Sequence, residues 1–154
     1  MNLTVYNAAG KTLDLYRIES PKSDEEVVLY IHGGYFIGGT EENPYAKDCA
    51  EKFNGEGQNV ISMSYSLQTE QSYAYAKSAG GFALQQWWIM TVISATNDVI
   101  DAIEYIKNMD VKKINIIGYS AGATAALLAI IGANPFAQFG LKSIPDRSII
   151  HTLT

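Results

Sequence analysis

Apolar residues fall in short blocks along this chain, and the spacing within the blocks changes from one to the next. Val27–Ile31 (VVLYI) and Asn59–Ser64 (NVISMS) are short, nearly continuous and rich in β-branched residues. Such runs predict strands buried on both faces. Lys112–Ile117 predicts another strand. Elsewhere the period lengthens. Val99, Ile100, Ile103 and Ile106 recur at the helical spacing, which predicts a helix over Ser94–Asn108 with Asp98, Asp101, Glu104 and Lys107 facing out. Ala46, Ala50 and Phe53 predict a second helix, starting at Asn43 or Pro44 and stopped by Gly55. Ala121–Ile131 predicts a third, built of small residues.

The ends of the chain are less regular. Leu3–Tyr6 and Thr12–Ile18 predict two short strands with a turn at Asn7–Gly10. In the second, Leu13, Leu15 and Arg17 share one face. Glu19–Glu26 is a charged loop broken by Pro21, and Ser148–Leu153 predicts a last strand. Tyr65–Met90 holds Tyr73, Tyr75, Phe82, Trp87, Trp88 and two adjacent glycines. It fits no single period and predicts an irregular or partly helical insertion.

Strands alternating with helices imply βαβ units. The fold class is therefore α/β, a mostly parallel, mixed sheet flanked by helices with right-handed crossovers. In such sheets chemistry gathers at the carboxyl ends of strands. Two glycine-rich loops follow strands directly, HGGYFIGGT after Val27–Ile31 and GYSAG after Lys112–Ile117. They should open onto the same edge. There is no repeat or low-complexity linker, and 154 residues suit one domain.

Composition narrows the function. A net charge of -5 and the lack of a dense Lys/Arg cluster argue against nucleic acid. Cys49 is the only cysteine, so no internal disulfide forms, which fits a reducing compartment. The opening MNLTVYNAAGKTLDL lacks a positive region followed by an apolar core, so no signal peptide and a cytoplasmic location are expected. The uncharged runs Ser78–Asn97 and Ile114–Leu141 contain glycines and polar residues, so no membrane span is expected. No pattern asks for a metal or a cofactor.

The candidate chemistry lies in the two loops. In Ile114–Gly122 (INIIGYSAG) a strand must reverse into a helix around Ser120, which strains the serine. Side chains at Gly118 or Gly122 would meet the opposite arm of the turn. The helix start aims backbone N–H groups at the serine's surroundings, and Ala121 N–H is placed to bind an oxyanion. The bland alternative is a plain strand-to-helix turn. In His32-Gly33-Gly34-Tyr35, the glycines let N–H groups turn outward. Acyl transfer needs such donors, each worth roughly 3 kcal/mol to the transition state. A phosphate cradle is disfavoured, because no lysine is near and Glu41 and Glu42 follow. His32, just past a buried strand, is expected to pin the loop by hydrogen bonding rather than to take the Ser120 proton. Tyr73, Tyr75, Trp87 and Trp88 either pack as core or cap, or bind an apolar ligand or partner.

Together, HGG, the VISMSYSL segment and GYSAG resemble the α/β-hydrolase superfamily, in particular hormone-sensitive-lipase-like esterases and their formamidase-like relatives. The resemblance runs from Val27 to Ile131. It implies that Ser120 is a nucleophile that forms an acyl-enzyme with a small acyl ester. Gly34, Tyr35 and Ala121 would supply oxyanion N–H groups, and His32, Gly33, Gly118 and Gly122 would shape the loops. Three positions depart from the pattern. Tyr35 stands where many members have a third glycine, Tyr119 where an acid is common, and Gln68-Thr69-Glu70 where Pro-Glu is usual.

The resemblance also implies an acid and then a histidine after later strands. Asp146 precedes the last predicted strand and His151 lies inside it, so an Asp146–His151–Ser120 triad is not expected. Residues 1–154 are therefore expected to be a single partial domain, the amino-terminal part of such a hydrolase, with 65–90 as a cap or insertion. A truncated reading frame, a split enzyme and a decayed pseudoenzyme remain open, as does a non-catalytic module that binds a ligand or partner. The last strand would leave an uncovered edge suited to pairing with another chain.

Overall fold

The computed structural model describes residues 2–5, 11–16, 21–132, 134–144 and 147–154. Its strands are β1 (Asn2–Val5), β2 (Thr12–Tyr16), β3 (Glu26–Ile31), β4 (Asn59–Met63), β5 (Lys113–Gly118) and β6 (Ile150–Leu153). They form one sheet in the order β1-β2-β4-β3-β5-β6. β1, β2 and β4 pair antiparallel, and β4, β3, β5 and β6 run parallel. The helices are α1 (Pro44–Gly55), α2 (Glu70–Ala79), α3 (Gly81–Lys107), α4 (Ala121–Ile131) and the short α5 (Asn134–Ala137). The sheet is mixed and helix-flanked, as its strand pattern implies. The predicted turn Asn7–Gly10, together with Arg17 and Asp146, lies outside the described residues.

The continuous apolar runs have a simple cause. Every residue of β4 is buried, as are Val27–Ile31 of β3. On one face Leu29, Ile31, Ile61, Ile114 and Ile116 pack with Val99, Ile103 and Ile106 of α3 and with Ala125, Ala126 and Ala129 of α4. On the other, Val28, Tyr30 and Val60 meet Ala46 and Ala50 of α1. Each large side chain enclosed this way contributes about 1.5–3 kcal/mol of transfer free energy. The small side chains of α4 bring its axis close to the sheet. α1 starts where its sequence says it should. The Asn43 side chain accepts the Ala46 N–H, and Pro44 occupies the first turn, where no donor is needed.

Three features differ from the sequence expectation. The helix predicted from Ser94 begins at Gly81 and runs for 27 residues. Most of the segment read as irregular or partly helical is thus α2 and the first turns of α3, separated at Gly80, whose φ of 107° ends α2. The aromatics obscured the period because this half of α3 packs on α2 rather than on the sheet. Thr69 and Ser72 close a reciprocal cap on α2. Second, Asp98 does not face solvent. It is buried and accepts the Ser66 N–H at 2.6 Å, tying α3 to the segment after β4. Asp101 keeps a partly exposed position and pairs with Lys142 at 2.7 Å.

Third, both faces of β2 are covered. Leu13 is buried as its alternation implies, but Asp14 is fully buried too. Asp14 lies opposite Ser62, and Ser62 lies opposite Tyr30, on the α1 face. Its carboxylate has no hydrogen-bond partner among the described residues. Burial, then the charges of Glu41 and Glu42, push its pKa up to about 6.

Candidate active site

Strands β3 and β5 are parallel neighbours, with Ile31 in register with Gly118. The loops that follow them therefore leave the sheet side by side, at its carboxyl edge. A hydrogen bond fastens them together, Tyr119 N–H donating to Ile31 O at 3.0 Å, and Gly122 N–H donates to Tyr119 O at 2.9 Å within the serine turn. The glycines let the two backbones meet. A Cβ at Gly122 would stand 2.3 Å from Ile31 O and 2.5 Å from His32 O. One at Gly118 would stand 2.5 Å from Ala123 Cα. Gly118 and Gly122 are thus close-approach positions between strand, helix and neighbouring loop.

Ser120 lies at the junction of β5 and α4 with φ 52° and ψ -115°. Holding a non-glycine residue at positive φ costs of order 1–3 kcal/mol. Its side chain makes no capping hydrogen bond, and the residue is exposed. The Ala121 N–H, at the first position of α4, donates to no backbone carbonyl among the described residues outside the helix. The same holds for Gly34 and Tyr35.

In the loop after β3, Gly33 lies directly on the serine turn. A Cβ there would be 3.1 Å from Ser120 Cβ and 2.8 Å from Tyr119 Cδ1. Gly34 has φ 126°, and its carbonyl accepts from the N–H groups of Ile37 and Gly38, both at 3.0 Å. A side chain at Gly34 would strike Gly38 O. Tyr35 and Phe36 also have positive φ, 57° and 61°, so three consecutive residues hold the left-handed half of backbone space. Gln68 N–H bonds Phe36 O at 2.8 Å and steadies the loop from β4's side.

His32 is 2% exposed, beneath this loop. Its Nδ1 lies 2.6 Å from Gly33 O. A carbonyl only accepts, so Nδ1 carries the proton and Nε2 does not. Nε2 has no partner among the described residues. The ring stacks on Tyr65 at 4.3 Å, and Tyr65 OH donates to His32 O at 2.8 Å. Burial lowers the His32 pKa, against a smaller upward pull from the Gly33 hydrogen bond, and keeps the ring neutral near pH 7. Burial also drives the Tyr65 phenol far above its usual range. No hydrogen bond joins His32 to Ser120 among the described residues.

His151, the other histidine of the chain, is exposed on β6. Its strand neighbours Ile150 and Thr152 pair with Ile114 and Asn115. That register places it five or six residues before Ser120 along β5. At about 3.3 Å per residue the gap is roughly 15 Å or more.

Two contacts around the serine were not legible in the sequence. Tyr119 stacks on Tyr45 of α1 with ring centroids 5.3 Å apart. Tyr35 packs edge-on against Trp88 and Tyr73. Both depend on loops folding back onto helices distant in sequence, and no local period announces that.

An α/β sheet with a strained serine between its fifth strand and fourth helix, facing a glycine loop from the next strand, defines a hydrolase-type scaffold. The alpha/beta hydrolase fold family matches residues 28–139, and the chain belongs to that family. No curated protein sequence matches it significantly. Among solved structures it is similar to esterase 2 (Est2) of the planctomycete Thermogutta terrifontis. The native form has a TM-score of 0.62 at 18% identity, over 84% of this chain and 43% of that one. The form of the same esterase phosphorylated by paraoxon gives 0.59 at 18% identity, over 84% and 46%. At this identity the likeness is one of fold, and this chain spans less than half the length of that esterase. No described helix is long and apolar enough to cross a membrane.

Proposed function

We propose that this chain carries the nucleophile half of a serine esterase acting on a small acyl ester. In this reading, Ser120 Oγ attacks the acyl carbonyl carbon, and the carbonyl electron pair moves onto oxygen. The N–H groups of Gly34, Tyr35 and Ala121 stabilise that oxyanion. The oxyanion collapses and the bond to the leaving alcohol breaks. The serine proton passes through a base to the alcohol, and water then releases the acyl group by the same steps. The observation that carries the reading is the contact of Gly33 with a Ser120 held at positive φ and free of capping duty. The Thermogutta esterase, a protein of similar fold, accepts a phosphoryl group from paraoxon, which fits a nucleophilic site in this scaffold.

The base comes from elsewhere, since His32 is turned into the loop and His151, on β6, lies level with Ile114 and Asn115, far from Ser120. A continuing chain or a second chain, pairing at the outer edge of β6, would supply it. An oxyanion site alone retains rate enhancements of about 10³–10⁴ over water. Hydrolysis of a short-chain acyl ester should therefore exceed that of S120A, and added imidazole should raise the difference. Equal rates for the two proteins at every imidazole concentration would sink the reading.

That neither His32 nor His151 is hydrogen-bonded to Ser120 among the described residues favours a second reading, a non-catalytic module that binds a ligand or partner. The groove between α2 and α3, lined by Tyr75, Phe82, Trp87 and Met90, offers an apolar surface for it. Under that reading S120A leaves biological output intact.

A further inference from the structure

Tyr35 and Phe36 hold a backbone conformation that side chains disfavour, and they hold it consecutively. Neither is glycine, so the conformation needs support from outside the loop. The structure shows where support is available. Tyr35 packs edge-on against Trp88 at 5.1 Å and Tyr73 at 6.0 Å. Phe36 is buried and packs edge-on against Trp88 at 6.4 Å and Tyr65 at 6.2 Å. Among the described residues, Trp88 is the one ring that touches both Tyr35 and Phe36. It is itself held by Trp87 at 4.9 Å and Tyr73 at 6.2 Å. Trp87 is fixed in turn by its indole N–H, which donates to Ser72 Oγ at 3.0 Å. Helices α2 and α3 thus present an aromatic box to the loop that lies against Ser120.

We infer that Trp88, backed by Tyr73, is a positioning residue that holds Tyr35 and Phe36 in their left-handed conformation and so sets where the Gly34 and Tyr35 N–H groups stand relative to Ser120. This rests on the reading of Ser120 as a nucleophile. It gives the aromatics of residues 65–90 a task, and it accounts for a tyrosine where a glycine would need no support. Trp88 acts through the loop and does not touch substrate.

The test combines labelling kinetics with backbone exchange. An alkyl fluorophosphonate is reacted with wild type, W88A, W88F, Y35G and Y35G/W88A, and adduct formation at Ser120 is followed by mass spectrometry. W88A should lower the maximal labelling rate about tenfold, a barrier change near 1.4 kcal/mol, while the half-saturating probe concentration stays within about twofold. W88F keeps a ring in the box and should recover most of the rate. Glycine adopts positive φ without support, so W88A should cost much less in the Y35G background than in wild type. A wild-type rate in W88A, or an equal W88A cost in both backgrounds, overturns the inference.

Amide exchange separates this result from the chemistry. The Ile37 and Gly38 N–H groups, bonded to Gly34 O, should exchange faster in W88A while β4 amides do not. Unchanged exchange at these two sites overturns the inference. If wild type takes no adduct but exchange rises in W88A, the nucleophile reading fails and the positioning role of Trp88 stands. Should W88A fail to fold, W88L is measured by the same two readouts.

Discussion

Gly33 and Ser120 are in contact across two loops that are remote in sequence. A methyl group built on Gly33 would stand 3.1 Å from Ser120 Cβ and closer still to the Tyr119 ring. In the proposed reading, that space is where an oxyanion and its donors have to fit. The obstructing atoms are side-chain atoms of Tyr119 and Ser120 together with Tyr119 O, so the turn can shift by a few tenths of an ångström. G33A should therefore fold, with a melting temperature within a few degrees of wild type, yet lose roughly tenfold or more in acylation of Ser120. Thermal melts paired with ester hydrolysis check this. Full activity in a folded G33A would contradict the role given to the contact.

G122A should behave differently. Its methyl would press on the main-chain oxygens of Ile31 and His32 at 2.3 and 2.5 Å. Main chain at the end of β3, held between β4 and β5, cannot step aside. We expect a loss of roughly 2–4 kcal/mol in chemical denaturation, with activity failing because the fold does. A G122A protein as stable as wild type would show that α4 is less tightly seated than described.

Much of this architecture was legible in the sequence because burial on both faces leaves a continuous apolar run. β3 and β4 announce themselves that way, and α1 carries end signals at Asn43, Pro44 and Gly55. The sequence alone places the two glycine loops on one edge, since loops that follow the strands of a parallel sheet share that edge. What stayed hidden depends on partners distant in sequence. The start of α3 was obscured because its first turns face aromatics of α2 instead of the sheet. Asp98 looked like a solvent-facing residue on a helical stripe, but the Ser66 N–H, 32 residues away, draws it inward. Asp14 lies off the face shared by Leu13 and Leu15, and nothing local to β2 announces its burial on the side of the sheet that carries Ser62 and Tyr30.

Asp14 supplies a pH prediction with a definite sign. Its pKa rises from 3.8 to about 6 on folding, so between those values the folded state binds more protons than the unfolded state. Stability should therefore fall as pH rises from about 4 through 6, and level off above. D14N has no charge to bury. It should be more stable than wild type by about 2 kcal/mol at pH 7.5, and the advantage should shrink below pH 6 and vanish near pH 4. Denaturation curves at four or five pH values measure it. A D14N advantage that does not change with pH would place the cause in shape rather than charge.

Asp98 makes the opposite kind of prediction, because its carboxylate is engaged. D98A leaves the Ser66 N–H without its acceptor and should cost about 1–3 kcal/mol. The loosening should appear first in the segment between β4 and α2, where amide exchange would rise. Exchange that rises only elsewhere would argue that Asp98 supports α3 through another contact.

The account stands most directly on one measurement, the site of covalent labelling by a fluorophosphonate, read by peptide mass spectrometry. The prediction is a single adduct on the peptide containing Ser120, slower in G33A and absent in S120A. Labelling of another residue, or none at Ser120 even with imidazole supplied, would contradict the claim that this turn carries a nucleophile.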